Sequence, residues 1–307
     1  MLAALASVVL AVDGGTPPVR QELARLARQV APHAETPWVR QWLATFETLE
    51  PITPQTWFCS KPERRCVKKA PPDAGFTARV VDDEFIYARI ADPLGYLRAY
   101  ELAAANGFVP AKKKVVDFGY GNLGALLPLA KLGANVHGVE VDPLLVAGTA
   151  AFQRRVTLHD GFFPKDPKLV QAMGTGVALW LSKNTLKRGY VHPAEPPGAK
   201  GSIDLGVDDV ATLKVIHSQL EPGGVFLIYN LAAVRPGPYV PMADGRCPFS
   251  REAFVEAGFE VIAFDADDTP KAKAMARALE WSADWPDVGQ TLVATWTLAR
   301  RPKREGP

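Results

Sequence analysis

Cysteine is scarce: the 307 residues hold three, Cys59, Cys66 and Cys247. With no C-x-x-C pair among them, a disulfide framework and the usual zinc or redox spacings are excluded. Cys59 and Cys66 can still bridge across a tight loop, because Pro62 and Glu63 between them suit a turn, and such a bridge matters only in an oxidising compartment. Histidine numbers five, and no cluster of His, Cys and carboxylates stands at ligand spacing, so no metal is expected. An excess of charge is missing as well. Thirty-five basic side chains face 33 acidic ones, for a net charge of +2, which supplies no global field for nucleic acid or an acidic membrane surface. The basic runs Lys112 to Lys114 and Arg300 to Arg304 are short, flank apolar runs and read as solvated ends. No apolar stretch approaches the ~20 residues of a membrane span, and neither an internal repeat nor a low-complexity segment is found.

What is present is the composition of an ordinary globular chain, 48% hydrophobic and 22% charged, long enough to bury a full core. Residues 1–16 form an apolar leader. Its run Leu2 to Val12 has signal-peptide length and a Val9-x-Ala11 pattern but no basic n-region, so an export signal competes with a mis-assigned start or a short helix. Residues 17–106 read as an N-terminal extension of helices and loops. Leu23, Leu26, Ala27 and Val30 fall at helical spacing over Val19 to Val30, and Thr36-Pro37 offers an N-cap and N1 pair for a second helix. The Trp57 to Cys59 and Cys66 to Lys68 arms predict a hairpin or loop, and Asp92-Pro93 opens a helix that Asn106-Gly107 ends.

From residue 107 to 301 apolar strand-like runs alternate with helical ones, and residues 302–307 form a tail. The strand runs are Lys114 to Phe118, Asn135 to Val139, Val156 to His159, Val177 to Leu181, Val225 to Asn230, Glu260 to Phe264 and Thr291 to Ala299. Such alternation predicts an α/β fold: a Rossmann-like, seven-stranded, mostly parallel sheet with helices on both faces.

The run KKKVVDFGYGNLGALLPLAKLG passes from a continuous apolar strand through a glycine-rich turn into a helix, an arrangement that brings backbone N–H groups to a ligand. Gly119, Gly121 and Gly124 spell G-x-G-x-x-G, and Glu140 ends the next strand, 140 − 119 = 21 residues after the first glycine. A carboxylate there can accept both hydroxyls of a ribose. A dinucleotide and S-adenosylmethionine both meet that condition. Asp117 separates them: a carboxylate at the loop entrance repels a pyrophosphate and attracts an ammonium and a sulfonium.

These residues resemble the class I S-adenosylmethionine-dependent methyltransferases over roughly Gly107 to Arg300. VVDFGYGNLG is similar to that family's first motif and VHGVEVDP to its second-strand motif. VTLHDGFFP, VALWLSKNTL and LEPGGVFLIYNL stand where its third, fourth and fifth strand segments fall. The resemblance implies S-adenosyl-L-methionine as cofactor, with contacts from Asp117, Gly119, Tyr120, Gly121, Gly124, Glu140, Asp160 and Ser182, and a methyl acceptor that is a small molecule or a protein. Two departures matter. Ser182, Lys183 and Asn184 occupy the fourth strand's end, where an acid is usual and no Asn-Pro-Pro-Tyr-like run occurs, which argues against methylation of nucleic-acid bases. Ala266 to Val288 separates what should be hairpin-linked last strands and is expected either as a lid or as packing on the sheet.

Methyl transfer needs alignment, exclusion of water and, for some acceptors, removal of a proton. Ser182 to Pro193 follows a strand's C-terminal end and is dense in polar groups. Asn184, Tyr190 and His192 are its catalytic candidates, with His192 the expected proton acceptor because imidazole titrates near pH ~6.5. His137 and His159 are expected as strand residues, His159 facing solvent. Tyr87, Tyr96 and Tyr100 are expected either to roof the cofactor or to pack in the core. Because the implied cofactor is made and used in the cytosol, a cytoplasmic location is favoured over export. Two other functions remain open at this point: an NAD(P)-dependent oxidoreductase, and a non-catalytic exported protein on the same fold.

Overall fold

The computed structural model describes residues 18–60, 62–69, 75–149, 152, 154–194 and 202–303, so the apolar leader lies outside the described residues. Helix α1 (Val19–Val30) buries Leu23, Ala24, Ala27 and Val30, the face its periodicity predicts. Helix α2 (Pro37–Ala44) starts with Pro37 in its first turn, but Thr36 does not cap it with its own side chain. The buried Glu101 carboxylate instead holds the segment just before the helix, accepting the N–H groups of Glu35 and Thr36 and the Thr36 hydroxyl. A charged acceptor is the stronger partner for these groups.

Strands β1 (Gln55–Ser60), β2 (Arg65–Val67) and β3 (Thr77–Val81) form a small antiparallel sheet in the order β2-β1-β3. Cys59 and Cys66 face each other across β1 and β2 and form a disulfide. Strand β3 was not expected, because its side chains are mostly exposed and leave no apolar run to read. Helix α3 (Asp83–Tyr87) follows, capped by Asp82. Asp92 then caps a short 3₁₀ turn that leads into α4 (Leu97–Ala105).

The main sheet holds β4 (Lys114–Phe118), β5 (Asn135–Glu140), β6 (Val156–Asp160), β7 (Val177–Lys183), β8 (Leu220–Ala233), β9 (Glu260–Asp267) and β10 (Leu292–Arg300). Their spatial order is β6-β5-β4-β7-β8-β10-β9. Strands β4 to β8 pair in parallel, and β10 runs antiparallel to both β8 and β9. This is the expected Rossmann-like α/β arrangement, with the chain reversing direction across the sheet between β5 and β7 on either side of β4. Every residue of β7 is buried, as a parallel strand covered on both faces requires.

Alternate residues of the central strands feed two cores. Val115, Leu179, Leu181, Leu227 and Tyr229 join α1, α2 and α4, with α5 (Leu126–Lys131), α6 (Pro143–Gly148), α11 (Thr269–Ala278) and α12 (Val288–Thr291), on one face. Val116, Trp180, Phe226 and Ile228 meet α7 (Pro167–Met173), α9 (Asp209–Gln219) and α10 (Arg251–Glu256) on the other. The N-terminal helices thus share a core with the sheet. A buried bidentate pair fastens them to it: Arg98 of α4 donates to both oxygens of Asp268 at 3.0 and 3.1 Å, and the Tyr229 hydroxyl donates to the same carboxylate at 2.9 Å. The segment Ala266 to Val288 holds α11, which packs on β10, and its Trp281 and Trp285 pack on the core shared with the N-terminal helices. No helix of the described residues is long and apolar enough to cross a membrane.

Candidate functional site

Parallel strands expose their C-terminal ends as a row of loops, and a crevice opens where neighbouring connections leave in opposite directions. Here that place is the end of β4, between β5 and β7, and a cavity of about 390 Å³ lies there. Gly119, Tyr120, Gly121 and Asn122 form one wall, with Glu140 at the end of β5. Lys183, Asn184 and Thr185 follow from β7. Tyr190 comes from α8 (Arg188–Val191), and Ala91, Asp92, Tyr96, Trp281 and Trp285 close the roof.

The glycines act differently from one another. Gly119 and Gly121 both have positive φ, 68° and 66°, which L side chains adopt at a cost. A Cβ on Gly121 would meet nothing nearer than Ile90 at 4.0 Å, so this turn leaves room for a ligand. At Gly119 the room is filled by Thr185, whose Oγ1 would lie 2.2 Å from such a Cβ. Gly124 does not reach the cavity. A Cβ there would sit 2.1 Å from the Tyr87 carbonyl oxygen, so this glycine serves close backbone packing. Asn122 pins the loop by donating to the carbonyls of Arg89 and Ala91 at 2.8 and 2.9 Å and accepting the Gly124 N–H at 2.9 Å. Tyr120 lies over Gly138 of β5, and burial pushes its phenol well up.

Glu140 lines the cavity. Its Oε2 accepts the N–H groups of Val141 and Asp142, leaving Oε1 without a protein donor among the described residues. Burial raises its pKa against those two bonds.

Asp117 departs from expectation. It is 0% exposed, lies behind the cavity wall and is ion-paired to Lys183, which is 7% exposed and does line the cavity. Burial pushes the Asp117 carboxyl up while the Lys183 ammonium opposes it. The cavity therefore meets an ammonium where the sequence reading placed a carboxylate. Ser182 is also fully buried, its hydroxyl accepting the Leu186 N–H at 3.0 Å, a local structural bond away from the cavity. Asp160 ends β6 outside the cavity lining. Arg64, at the tip of the β1-β2 hairpin, pairs with it and lies over the Phe162 ring at 4.6 Å.

Among the catalytic candidates, Asn184 and Tyr190 line the cavity and His192 does not. Asn184 has φ 58° and its Oδ1 accepts the Leu231 N–H at 2.6 Å, so its carbonyl end is committed to β8. Burial raises the Tyr190 phenol further above its ordinary value, so its hydroxyl stays protonated well into the alkaline range. His192 points away to Asp209 at the start of α9, 2.8 Å from its Nε2, because the α8 turn carries it past the cavity. Besides Glu140, the carboxylates Asp92 and Asp284 line the cavity; Asp92 is legible in the sequence only as a helix cap, and burial pushes it up to about 6. His159 does not simply face solvent: it stacks on His137 with ring nitrogens 3.1 Å apart. Tyr96 lines the cavity, whereas Tyr87 and Tyr100 are core residues.

No family model matches the sequence, and no curated protein does. Solved structures are similar at low identity. The [4+2]-cyclase SpnF is 17% identical, with 67% of this chain and 80% of that one covered and a TM-score of 0.43. Phosphoethanolamine N-methyltransferase 2 of Haemonchus contortus, in complex with phosphomonomethylethanolamine and S-adenosylhomocysteine, is 14% identical over 70% of this chain and 54% of that one, with a TM-score of 0.44. Geranyl diphosphate C-methyltransferase of Streptomyces coelicolor A3(2) is 14% identical over 66% and 75%, with a TM-score of 0.40. At these values the likeness carries neither an activity nor an acceptor to this chain.

Proposed function

We propose that the chain binds S-adenosylmethionine in this cavity and is a methyltransferase acting on an O, N or C nucleophile of a small-molecule or protein acceptor. The observation that carries the reading is the convergence of the open Gly121 turn and the free Glu140 Oε1 on one cavity at the sheet's switch point. Glu140 and the turn suit an adenosine ribose. The cavity's volume of about 390 Å³ falls within the roughly 300–1,000 Å³ of ligand pockets. When bound, this cofactor supplies an electrophilic methyl group on a sulfonium. The chain's own residues would hold the ribose at Glu140, exclude water with Tyr96, Trp281 and Trp285, and align the acceptor beside Tyr190. Asp92, a cavity-lining carboxylate, would take an acceptor proton where one must leave. Asp117 no longer argues against a dinucleotide, since Lys183 neutralises it, and the choice between the two cofactors falls to direct binding.

Titration calorimetry with S-adenosylhomocysteine and NAD tests this. Saturable binding of the first and not the second is expected, weakened about 10- to 100-fold by Glu140→Ala through loss of hydrogen bonds to a charged acceptor. Preference for NAD would move the oxidoreductase reading ahead. One observation favours a second reading, an exported non-catalytic protein: the Cys59–Cys66 disulfide, a bond that persists in oxidising compartments. The intact mass of the protein from its native host separates the two, through an N-terminus cleaved after Ala11 and the two hydrogens lost on disulfide formation.

A further inference from the structure

A lysine ammonium carries three N–H donors. One of those of Lys183 meets Asp117, and no second acceptor stands near its Nζ among the described residues. The Tyr96 ring lies 5.8 Å from the nitrogen and shields one side. The remaining Lys183 donors have no protein acceptor among the described residues, and Lys183 lines the cavity. Asp117 is not among the residues that line the cavity, and its second oxygen, Oδ1, is buried without a partner among the described residues. Among the described residues, the charged side chains that line the cavity are the carboxylates Glu140 at β5, Asp92 and Asp284, and one cation, the Lys183 ammonium at β7. A ligand that gives hydroxyls to Glu140 must bring an acceptor to Lys183.

We infer that Lys183 recognises the carboxylate of the cofactor's amino-acid tail, with Asp117 a positioning residue that holds the ammonium in place. This rests on the adenosyl reading of the cavity, and it inverts the polarity that Asp117 implies in the sequence. The ammonium of the tail is not gripped by Asp117; its carboxylate is gripped by Lys183. A buried ion pair behind one face of a binding site costs desolvation, and a ligand anion on the free donors of Lys183 adds a charge-assisted bond there.

The test is a cycle of two ligands and three proteins, read by calorimetry. S-adenosylmethionine is compared with its decarboxylated form, which keeps sulfonium and ammonium and lacks only the carboxylate. The proteins are the wild type, Lys183→Met and the double variant Asp117→Asn/Lys183→Met. The double variant removes both charges, so it supplies the measurement if Lys183→Met fails to fold with Asp117 left unpaired. 5′-Methylthioadenosine, which lacks the tail, reports whether each protein retains the nucleoside end of the site. The wild type is expected to prefer the carboxylate-bearing ligand by about tenfold. Both variants should lose that preference while keeping 5′-methylthioadenosine affinity. A preference unchanged in the variants overturns the assignment. So does tighter binding of S-adenosylmethionine to Lys183→Met, which would make Lys183 a competitor of the cofactor's ammonium. If 5′-methylthioadenosine and S-adenosylmethionine both fail to bind the folded wild type, it is the adenosyl reading that falls.

Discussion

Lys187 is 0% exposed, and its ammonium nitrogen donates to backbone carbonyls, those of Leu231 and, at 3.5 Å, Met242. Burial pushes its pKa down from 10.5 to about 7, against the attraction of Asp244. At about 1.4 kcal/mol for each tenfold change, that drop amounts to roughly 5 kcal/mol as an upper limit on what folding gives up when the group is charged. Methionine has a similar length and no charge, but it forfeits the two carbonyl contacts, worth roughly 1–3 kcal/mol together. Lys187→Met is therefore expected to stabilise the protein by about 2–4 kcal/mol at pH 6. The folded pKa is depressed, so the wild type regains stability from this group as pH rises from about 7 towards 10.5, where the unfolded chain binds more protons than the folded one. The advantage of the variant must shrink across that window and approach zero or reverse near pH 10. Urea unfolding of both proteins at pH 6, 8 and 9.5, followed by circular dichroism, measures it. A difference that does not change with pH, or a variant less stable than the wild type at pH 6, would refute the reasoning.

Asp268→Ala leaves the Arg98 guanidinium buried without its carboxylate and should cost about 3–5 kcal/mol in urea unfolding; a loss below about 1 kcal/mol would mean water reaches Arg98. Asp92, pushed up to about 6 by burial and accepting the Trp281 indole N–H at 3.4 Å, should impose a titration near pH 6 on the fluorescence of Trp281. The check is the wild-type minus Trp281→Phe emission between pH 4 and 8, and persistence of that step in Asp92→Asn would assign it elsewhere. The same raised pKa sets a sign for stability. The contribution of Asp92 is full below the ordinary 3.8 and lost as pH rises through about 6. Asp92→Asn should consequently gain on the wild type as pH passes from 4 to 7.

Helix α1 and the strand runs were legible because each buries one face or both, and burial writes a period into the residues. The glycine turn was legible for a related reason: positive φ and close approach restrict which residues can stand there. Gly121 and Gly124 nevertheless carry the same letter for different causes, one an opening towards the cavity and the other a backbone 2.1 Å from a hypothetical Cβ. Strand β3 left no trace, since exposed side chains carry no period. His192 was mistaken for a site residue because proximity along the chain to Asn184 and Tyr190 says nothing of direction after a helical turn.

The succession of strands and helices along the chain, the cradle at the end of β4 and the acid at the end of β5 follow from local pattern, and local pattern is enough for them. The state of the site's charges does not. Asp117 and Lys183 stand 66 residues apart, and Asp92 meets Trp281 across 189. Whether a carboxylate faces a ligand or an internal lysine depends on which strand ends the sheet brings side by side, and on how dry that junction is. Strand pairing sets the first and packing the second, so the sign of the charge offered to the ligand is a property of the folded chain.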